Sequence, residues 1–319
     1  MKVTKTCLVT GGAGFIGSHL CDKLLEKDYS VICVDNLITG NKKNISHLLS
    51  NPKFQFIHHD ITKSLLEANS YQLKAINCVY HLASPASPIQ YQKYSVETLL
   101  TNSQGTYHVL GLAQKYHSKF LLASTSEVYG DPQEHPQKET YWGHVNPIGK
   151  RSCYDESKRF AESLTMEFIR KMKIDARIIR IFNTYGPRML KNDGRVISNF
   201  ITQALKRLPL TVYGDGSQTR SFCYISDMVT GIIAAMEMDS TSGEVINLGN
   251  PDERKILKIA QFIKKLTASA SKINFQDLPS DDPIRRKPDI TKAQKMIGWH
   301  PKVSFPIGLT RTIRYFQAL

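Results

Sequence analysis

The sequence predicts an α/β fold built on a doubly wound parallel sheet, with a smaller lobe at its C-terminal end. Three observations predict it. Short apolar strands alternate with helical patterns along the first half of the chain. The first strand runs straight into a glycine-rich turn, and the second strand ends in an aspartate. After residue 182 the alternation loosens.

Thr6–Thr10 reads as a short buried strand, and Gly11-Gly12-Ala13-Gly14-Phe15-Ile16-Gly17 turns it into an amphipathic helix ending near Lys27. Gly12, Gly14 and Gly17 fit G-x-G-x-x-G, while Gly11, Gly14 and Gly17 fit G-x-x-G-x-x-G. Missing side chains let the backbone turn tightly and approach a pyrophosphate at the helix N-terminus, where unpaired N–H groups and the dipole favour an anion. Alone, such a pattern often marks only a turn. Here the next strand, Ser30–Val34, ends in Asp35, eighteen residues after Gly17, where a carboxylate accepts hydrogen bonds from a ribose diol. Together the two features describe a Rossmann-type dinucleotide site.

Asp35 repels a 2′-phosphate, and neither Asn36 nor Leu37 supplies a compensating arginine, so NAD is favoured over NADP. No G-x-x-x-x-G-K-[ST] phosphate loop is present. Further strands read at Phe54–His58, followed by Asp60-Ile61, at Cys78–Leu82 and at Lys119–Ala123. In such sheets ligands sit at the carboxyl ends of the strands.

The segment from Ser124-Thr125-Ser126-Glu127 to Tyr154-Asp155-Glu156-Ser157-Lys158 supplies a hydroxyl, a carboxylate, a tyrosine and a lysine. On a helix Tyr154 and Lys158 share a face, so the ammonium can stabilise a phenolate. A free tyrosine, with pKa about 10, is a poor base at neutral pH. Lys158 and an oxidised nicotinamide would both lower that value, giving a base for a substrate hydroxyl while hydride leaves the same carbon. Thr125 would hold that oxygen. Tyr-x-x-x-Lys by itself also arises from surface packing; the cofactor signature makes it informative.

A second lobe begins after the strand Asp175–Phe182. Asn183-Thr184-Tyr185-Gly186-Pro187-Arg188 follows, then Asn192–Phe200 opens a helix, and Leu210–Phe222 reads as a hairpin with a tight Asp215-Gly216 turn. Arg195 and Arg220 flank Tyr213, and two guanidinium groups with an aromatic face suit a nucleoside diphosphate.

Composition bounds the remaining classes. The chain has 319 residues and 41% hydrophobic content, which suits a folded globular protein with a substantial core. No apolar run reaches the ~20 residues of a membrane helix, and the N-terminus enters a strand at once, so a cytoplasmic location without membrane association is expected. Cys7, Cys21, Cys33, Cys78, Cys153 and Cys223 lie in apolar contexts without C-x-x-C pairs and read as reduced core thiols. His58-His59-Asp60 has no second ligand cluster, so no metal is expected; Asp60 reads as a cofactor contact at a strand end. The net charge of +14 comes from dispersed lysines and arginines without aromatic interleaving, which argues against nucleic acid.

With these residues in view, the chain resembles the extended short-chain dehydrogenases/reductases, and within them the UDP-glucuronic acid decarboxylases. The resemblance spans nearly the whole chain. It is dense in His81–Pro88, Ser124–Pro132, Tyr141–Gly149 and Arg286-Lys287-Pro288-Asp289-Ile290. It implies an NAD-binding Rossmann domain over residues 1–182, rejoined by about 221–248, and a mainly nucleotide-sugar-binding lobe over 183–319. It further implies a homodimer through helices around Tyr91–Tyr116 and Cys153–Met172.

The implied chemistry oxidises C4 of a UDP-hexuronic acid, so that the C6 carboxylate lies β to a ketone and leaves as CO₂; the enolate is protonated at C5 and C4 is reduced again. The resemblance makes Tyr154 the base, Lys158 its support, Thr125 the holder of the reacting oxygen, and Ser126 and Glu127 participants at the ring. Arg286 resembles an arginine near the carboxylate or a proton donor. Asn183, Arg195, Asn199, Tyr213 and Arg220, with Glu127, Tyr154 and Arg286, resemble the nucleotide-sugar contacts. Cofactor contacts implied are Gly11, Gly14, Phe15, Ile16, Gly17, Asp35, Asn36, Thr39, Gly40, Asp60, Ile61, Leu82, Ala83, Ser84, Thr101, Tyr154 and Lys158.

The triplet Thr125-Ser126-Glu127 separates this reading from its relatives. Nucleotide-sugar 4,6-dehydratases show Thr-Asp-Glu, whose Asp protonates the leaving C6 hydroxyl, and Ser126 is a poor acid for that step. Simple 4-epimerases tend to carry small non-acidic residues where Glu127 stands. One departure concerns Leu100, where the family often has a lysine; loss of that cation leaves open a 2-acetamido uronic acid or another base, and the run Asn69–Asn77 is a second local difference. A non-catalytic NAD-binding scaffold needs only the glycine turn and Asp35, so the full set of reactive residues argues against it.

Overall fold

Strands buried on both faces must be apolar on both faces, and that is what the first half of the sequence supplies. The computed structural model describes residues 5–66, 73, 75–191, 193–278 and 285–319. Strands β1 (Thr6–Thr10), β2 (Ser30–Asp35), β3 (Phe54–His58), β4 (Cys78–His81), β5 (Lys119–Thr125) and β6 (Ala176–Ile181) follow in chain order. Then come β7 (Thr184–Tyr185), β8 (Leu210–Tyr213), β9 (Thr219–Ser221), β10 (Cys223–Tyr224) and β11 (Val245–Leu248).

Among the described residues seven strands form the main sheet in the order β11-β6-β5-β4-β1-β2-β3. Every pairing in it is parallel. The order reverses between β1 and β4, the place where doubly wound sheets open a crevice for a ligand. Alternation along β1 shows how the sheet is sandwiched: Cys7 and Val9 pack into one apolar cluster, and Leu8 into the cluster on the opposite face.

The helices are α1 (Phe15–Glu26), α2 (Pro88–Lys93), α3 (Ser95–Leu100), α4 (Thr106–Lys115), α5 (Ser152–Met172), α6 (Val196–Leu205) and α7 (Ile225–Glu237). A single π-helical turn, Thr101–Gly105, joins α3 to α4. The connection from β2 to β3 holds only a short 3₁₀ helix, Lys42–Leu48, rather than a full α-helix. Pro88 at the first turn of α2 and the left-handed Lys173 after α5 mark a start and a stop that local chemistry favours.

The C-terminal part adds β12 (Glu253–Lys255), α8 (Ile256–Leu266), β13 (Ile273–Gln276), β14 (Arg285–Arg286), α9 (Thr291–Ile297) and α10 (Phe305–Gln317). The expected hairpin over Leu210–Phe222 does not form. β8 instead pairs in parallel with β13, while β9 lies between antiparallel β12 and parallel β14. The turn itself is real, closed by Ser217 donating to Asp215 and by Gln218 Nε2 donating to the Tyr213 carbonyl. Its outgoing strand then takes hydrogen bonds from residues far along the chain, since Ile256 N–H donates to the Gln218 carbonyl.

Among the described residues all six cysteines are free, five of them buried. His58 and His59 each meet a backbone carbonyl, and no metal-ligand cluster occurs among the described residues. Among the described residues no helix is long and apolar enough to cross a membrane. Asn192 and most of the run Asn69–Asn77 lie outside the described residues.

Candidate active site

The carboxyl ends of β1, β2, β4, β5 and β6 border one cavity of about 560 Å³, which also reaches residues of α5, α6, β8, β9 and β14. Residues separated by more than 270 positions in sequence, Gly11 and Arg286, thus share one wall.

The dinucleotide end is shaped by glycine. Gly11 has φ +72°, a left-handed conformation that costs other residues energy, and a Cβ there would sit 2.7 Å from the Ala83 nitrogen. At Gly17 an added Cβ would lie 2.1 Å from the Gly11 carbonyl oxygen, so the turn and the first turn of α1 can close on each other only without side chains. Gly14 caps α1 without a side-chain hydrogen bond, leaving its first N–H groups facing the cavity, where an anion fits. Asp35 at the end of β2 is buried, and its two oxygens accept from Ala13 N–H at 2.9 Å and Leu37 N–H at 2.8 Å. Burial raises its pKa while these two donors counter it. Each oxygen keeps acceptor capacity for a diol. Phe15, Ile16, Asn36, Thr39, Gly40, Ile61, Leu82, Ala83, Ser84 and Thr101 complete this wall. These residues suit a dinucleotide.

Thr125 ends β5, and its hydroxyl accepts from Glu127 N–H at 3.3 Å, capping the 3₁₀ turn Ser126–Tyr129. Facing it, Tyr154 and Lys158 are one turn apart on α5, and Tyr154 shares a hydrogen bond with Thr125. The ammonium of Lys158 donates to the Ala123 carbonyl at 3.0 Å and lies 6.0 Å from the centre of the Tyr154 ring. Both groups are buried. Burial pushes the Tyr154 phenol up to about 12, the Thr125 hydrogen bond working against it and Glu127 adding to it. Desolvation costs a buried phenolate more than the Thr125 hydrogen bond and the Arg195 charge return. The same burial draws Lys158 down to about 7, with Glu162 opposing the shift.

Glu127 is gripped from two sides. Its Oε1 accepts from Arg286 and its Oε2 from Arg151. Burial raises its pKa, but Arg286 and then Arg151 overcome this and hold it down at about 2. Arg286 is itself buried, and its second amino group donates to the Gly130 carbonyl at 2.8 Å. Close behind, burial and then Glu127 push Asp155 up to about 7.

The distal end of the cavity is lined by Asn183, Arg195, Asn199, Tyr213 and Arg220. Arg195 precedes α6 and donates to the Ala86 carbonyl at 3.1 Å, which fixes it across the cavity mouth. Two arginines with a half-exposed tyrosine offer charge for phosphate and a flat face for a base.

Of the site residues read from sequence, Asp60 alone lies outside the cavity wall. Its carboxylate accepts from Asn36 Nδ2 at 3.1 Å and from the Thr62 hydroxyl at 2.8 Å, and so braces Asn36. Leu100 also stays outside: it is exposed on α3, while its neighbour Thr101 reaches the wall. Its replacement of a lysine thus does not touch the cavity. Arg151 and Tyr91, which both line it, were missed. Arg151 sits three residues before Tyr154, a spacing that would have put it on the same helical face, whereas Tyr91 carries no local signal.

Residues 8–312 match the family model described as GDP-mannose 4,6 dehydratase. The chain is 52% identical over 310 residues to UDP-glucuronic acid decarboxylase 1 of Arabidopsis thaliana, covering 97% of this chain and 69% of that protein. It is 51% identical over 316 residues to UDP-glucuronic acid decarboxylase 1 of Danio rerio, covering 99% of this chain and 73% of the relative. Among solved structures, UDP-glucuronic acid 4-epimerase from Bacillus cereus in complex with UDP-glucuronic acid and NAD is similar with a TM-score of 0.88 at 34% identity. That likeness covers 98% of this chain and 99% of the other. On the fold, the cavity and these matches, the chain belongs to the UDP-glucuronic acid decarboxylases of the extended short-chain dehydrogenase/reductase family.

Proposed function

We propose that the protein is an NAD-dependent carboxy-lyase that converts UDP-glucuronate to UDP-xylose through a 4-keto sugar. The observation that carries this reading is the neighbourhood of Thr125: a serine at 126, followed by a glutamate held ionised between Arg151 and Arg286. Bound NAD supplies an acceptor for hydride from C4 and a donor that restores it, so the reaction has no net redox change.

The chain's own residues do the rest. Tyr154 takes the proton from the C4 hydroxyl, and Thr125, hydrogen-bonded to Tyr154, holds that oxygen in reach. A phenol raised to about 12 stays protonated near neutral pH and becomes a base only when positive charge is brought beside it. Lys158 supplies part of that charge. Once C4 is a ketone, the C6 carboxylate can leave as CO₂, and this reading assigns Arg286, paired with Glu127, to that end of the sugar. Asn183, Arg195, Asn199, Tyr213 and Arg220 hold the nucleotide portion.

Dehydration at C6 would need an acid beside Thr125. Ser126 is not one, and Glu127 at about 2 carries no proton near neutral pH. The relative that acts on the same sugar as a 4-epimerase makes epimerisation the reading to exclude by product analysis. The 2-acetamido uronic acid remains the alternative substrate.

We also infer a homodimer. Val96, Leu99 and Leu100 of α3, Tyr107 of α4 and Phe160 of α5 are large apolar side chains left exposed on neighbouring helices. Six free thiols support a reducing, cytoplasmic setting.

The test is mass spectrometry and proton NMR of the protein incubated with NAD and either UDP-glucuronate or its 2-acetamido analogue. A UDP-pentose and CO₂ from the first, without net NADH, is the expected result. A UDP-hexuronate of inverted C4 would make the protein an epimerase, and turnover of the second compound alone would move the substrate to the acetamido sugar.

A further inference from the structure

Arg286 reaches Glu127 from a very short strand. Among the described residues β14 comprises Arg285 and Arg286, and on one edge it pairs with β9 through Arg285↔Thr219 and Arg286↔Arg220. Ser221 adds a hydroxyl hydrogen bond to the Arg286 carbonyl at 3.0 Å. Two residues of pairing hold a strand weakly, yet the guanidinium at its end must keep its place against the sugar. Something on the other edge has to fix it.

Gln137 stands on that edge. It is fully buried and does not line the cavity. Its backbone N–H donates to the Lys287 carbonyl at 2.9 Å, and its side-chain Oε1 accepts from Lys287 N–H at 2.8 Å. Both backbone polar groups of the residue after Arg286 are therefore held by one glutamine. The Gln137 carbonyl accepts from Asp289 N–H at 2.9 Å, which carries the pairing past Pro288, a residue with no N–H to offer. The remaining side-chain donor, Nε2, goes to the Glu134 carbonyl at 2.6 Å. An amide side chain can satisfy an N–H and a carbonyl together, as a peptide group does in a sheet.

The anchor of Gln137 is itself anchored behind the catalytic strand. Asn247 on β11 donates to the Gln137 carbonyl at 3.1 Å and to the Asp289 carbonyl at 3.2 Å, and accepts from the Tyr129 hydroxyl at 2.8 Å. Tyr129 in turn accepts from Arg180 at 2.9 Å, and Arg180 is paired with Glu162, which accepts from Ser124. Ser124 precedes Thr125. The chain of hydrogen bonds thus starts at one side of the reacting centre and ends at the residue beside Arg286, while Arg286–Glu127 joins the two ends across the cavity.

We propose that Gln137 is a positioning residue for the decarboxylation: it acts as a replacement strand that fixes Arg286 relative to Glu127 and the departing carboxylate. The inference rests on the decarboxylase reading above. Displacing a catalytic group by about 1 Å costs up to about 10²-fold in rate, and only the steps that use Arg286 should feel it.

The experiment compares wild type, Gln137→Met and Gln137→Glu as full-length protein loaded with NAD. Methionine keeps the length and removes both hydrogen bonds; glutamate keeps the acceptor for Lys287 N–H. For Gln137→Met the expected result is a roughly 10- to 100-fold fall in CO₂ release with the single-turnover rise of bound NADH at 340 nm unchanged. Amide exchange over residues 285–289 should also quicken. Gln137→Glu should recover most of the CO₂ release. Equal loss of NADH formation and CO₂ release in both variants would reduce Gln137 to a general structural residue and overturn the proposal, as would unaltered exchange over 285–289. Failure of the wild type itself to release CO₂ would instead overturn the functional reading, and the exchange measurement would still decide whether Gln137 holds the Arg286 strand.

Discussion

The rings of Tyr91 and Tyr154 lie 5.0 Å apart with 3° between their planes. With Cys153, whose Sγ approaches the Tyr91 carbonyl at 3.5 Å, they form a small apolar cluster separate from the two large ones. Stacked pairs of this kind contribute about 0.5–1.5 kcal/mol beyond their burial. Tyr154 is thereby held flat against a neighbour and turns its hydroxyl toward Thr125. The Tyr91 hydroxyl, by contrast, is buried without a hydrogen-bond partner among the described residues. Removing an unsatisfied hydroxyl relieves a desolvation cost. Tyr91→Phe should therefore leave the melting temperature unchanged or raise it, by up to about 1 kcal/mol in stability. A loss larger than that in thermal unfolding would mean that the hydroxyl is partnered in solution.

Replacing the base gives a sharper result. Tyr154→Phe keeps the stack with Tyr91 and loses only the group that takes the proton. Proton transfer by a placed side chain accounts for about 10²–10⁴-fold in rate. The variant should retain NAD, read as absorbance or by mass spectrometry of the native protein, and show a fall of that size in NADH appearance on adding substrate. Undiminished hydride transfer would remove Tyr154 from the role.

Glu127→Gln should slow the reaction and also alter how stability depends on pH. A carboxyl held at about 2 when folded, against an ordinary value near 4.5, contributes stability that is fully present above about 4.5 and is lost as pH falls toward 2. Melting temperatures of the wild type should drop across that window. In the variant the drop should be smaller, and the protein should be less stable at neutral pH because the negative charge between Arg151 and Arg286 is lost. Parallel acid curves for the two proteins would show that Glu127 is not held this way.

The exposed apolar face of α3, α4 and α5 predicts its own outcome. Sedimentation at micromolar concentration should give a dimer, and Leu99→Glu together with Val96→Glu should give a monomer with the main sheet intact by circular dichroism. A wild-type monomer would contradict the dimer.

What the sequence revealed was what lies close together along it. The glycine turn and Asp35 belong to two consecutive strands, and Tyr154 and Lys158 to one helical turn, so spacing alone locates them. The hairpin expectation failed because a turn signal says where the chain bends and not which strand it meets: β8 found β13, sixty residues on, and β9 found β12 and β14. The Glu127–Arg286 pair spans 159 positions and depends on the pairing of β14 with β9, so only the family resemblance could suggest Arg286. The rise in the Tyr154 pKa comes from burial, a property of the assembled cavity.

The far edge of the main sheet has a bearing on synthesis. β6 ends at Ile181, but its neighbour β11 starts at Val245, so the 63 residues 182–244 must be made before that edge is covered. At about 5–20 residues per second this takes roughly 3–13 s, during which a strand with unpaired N–H and carbonyl groups is open to other nascent chains. A fragment stopping before Val245 never closes it. Residues up to Ile181 thus supply six of the seven strands of the main sheet, and the seventh arrives only with Val245–Leu248.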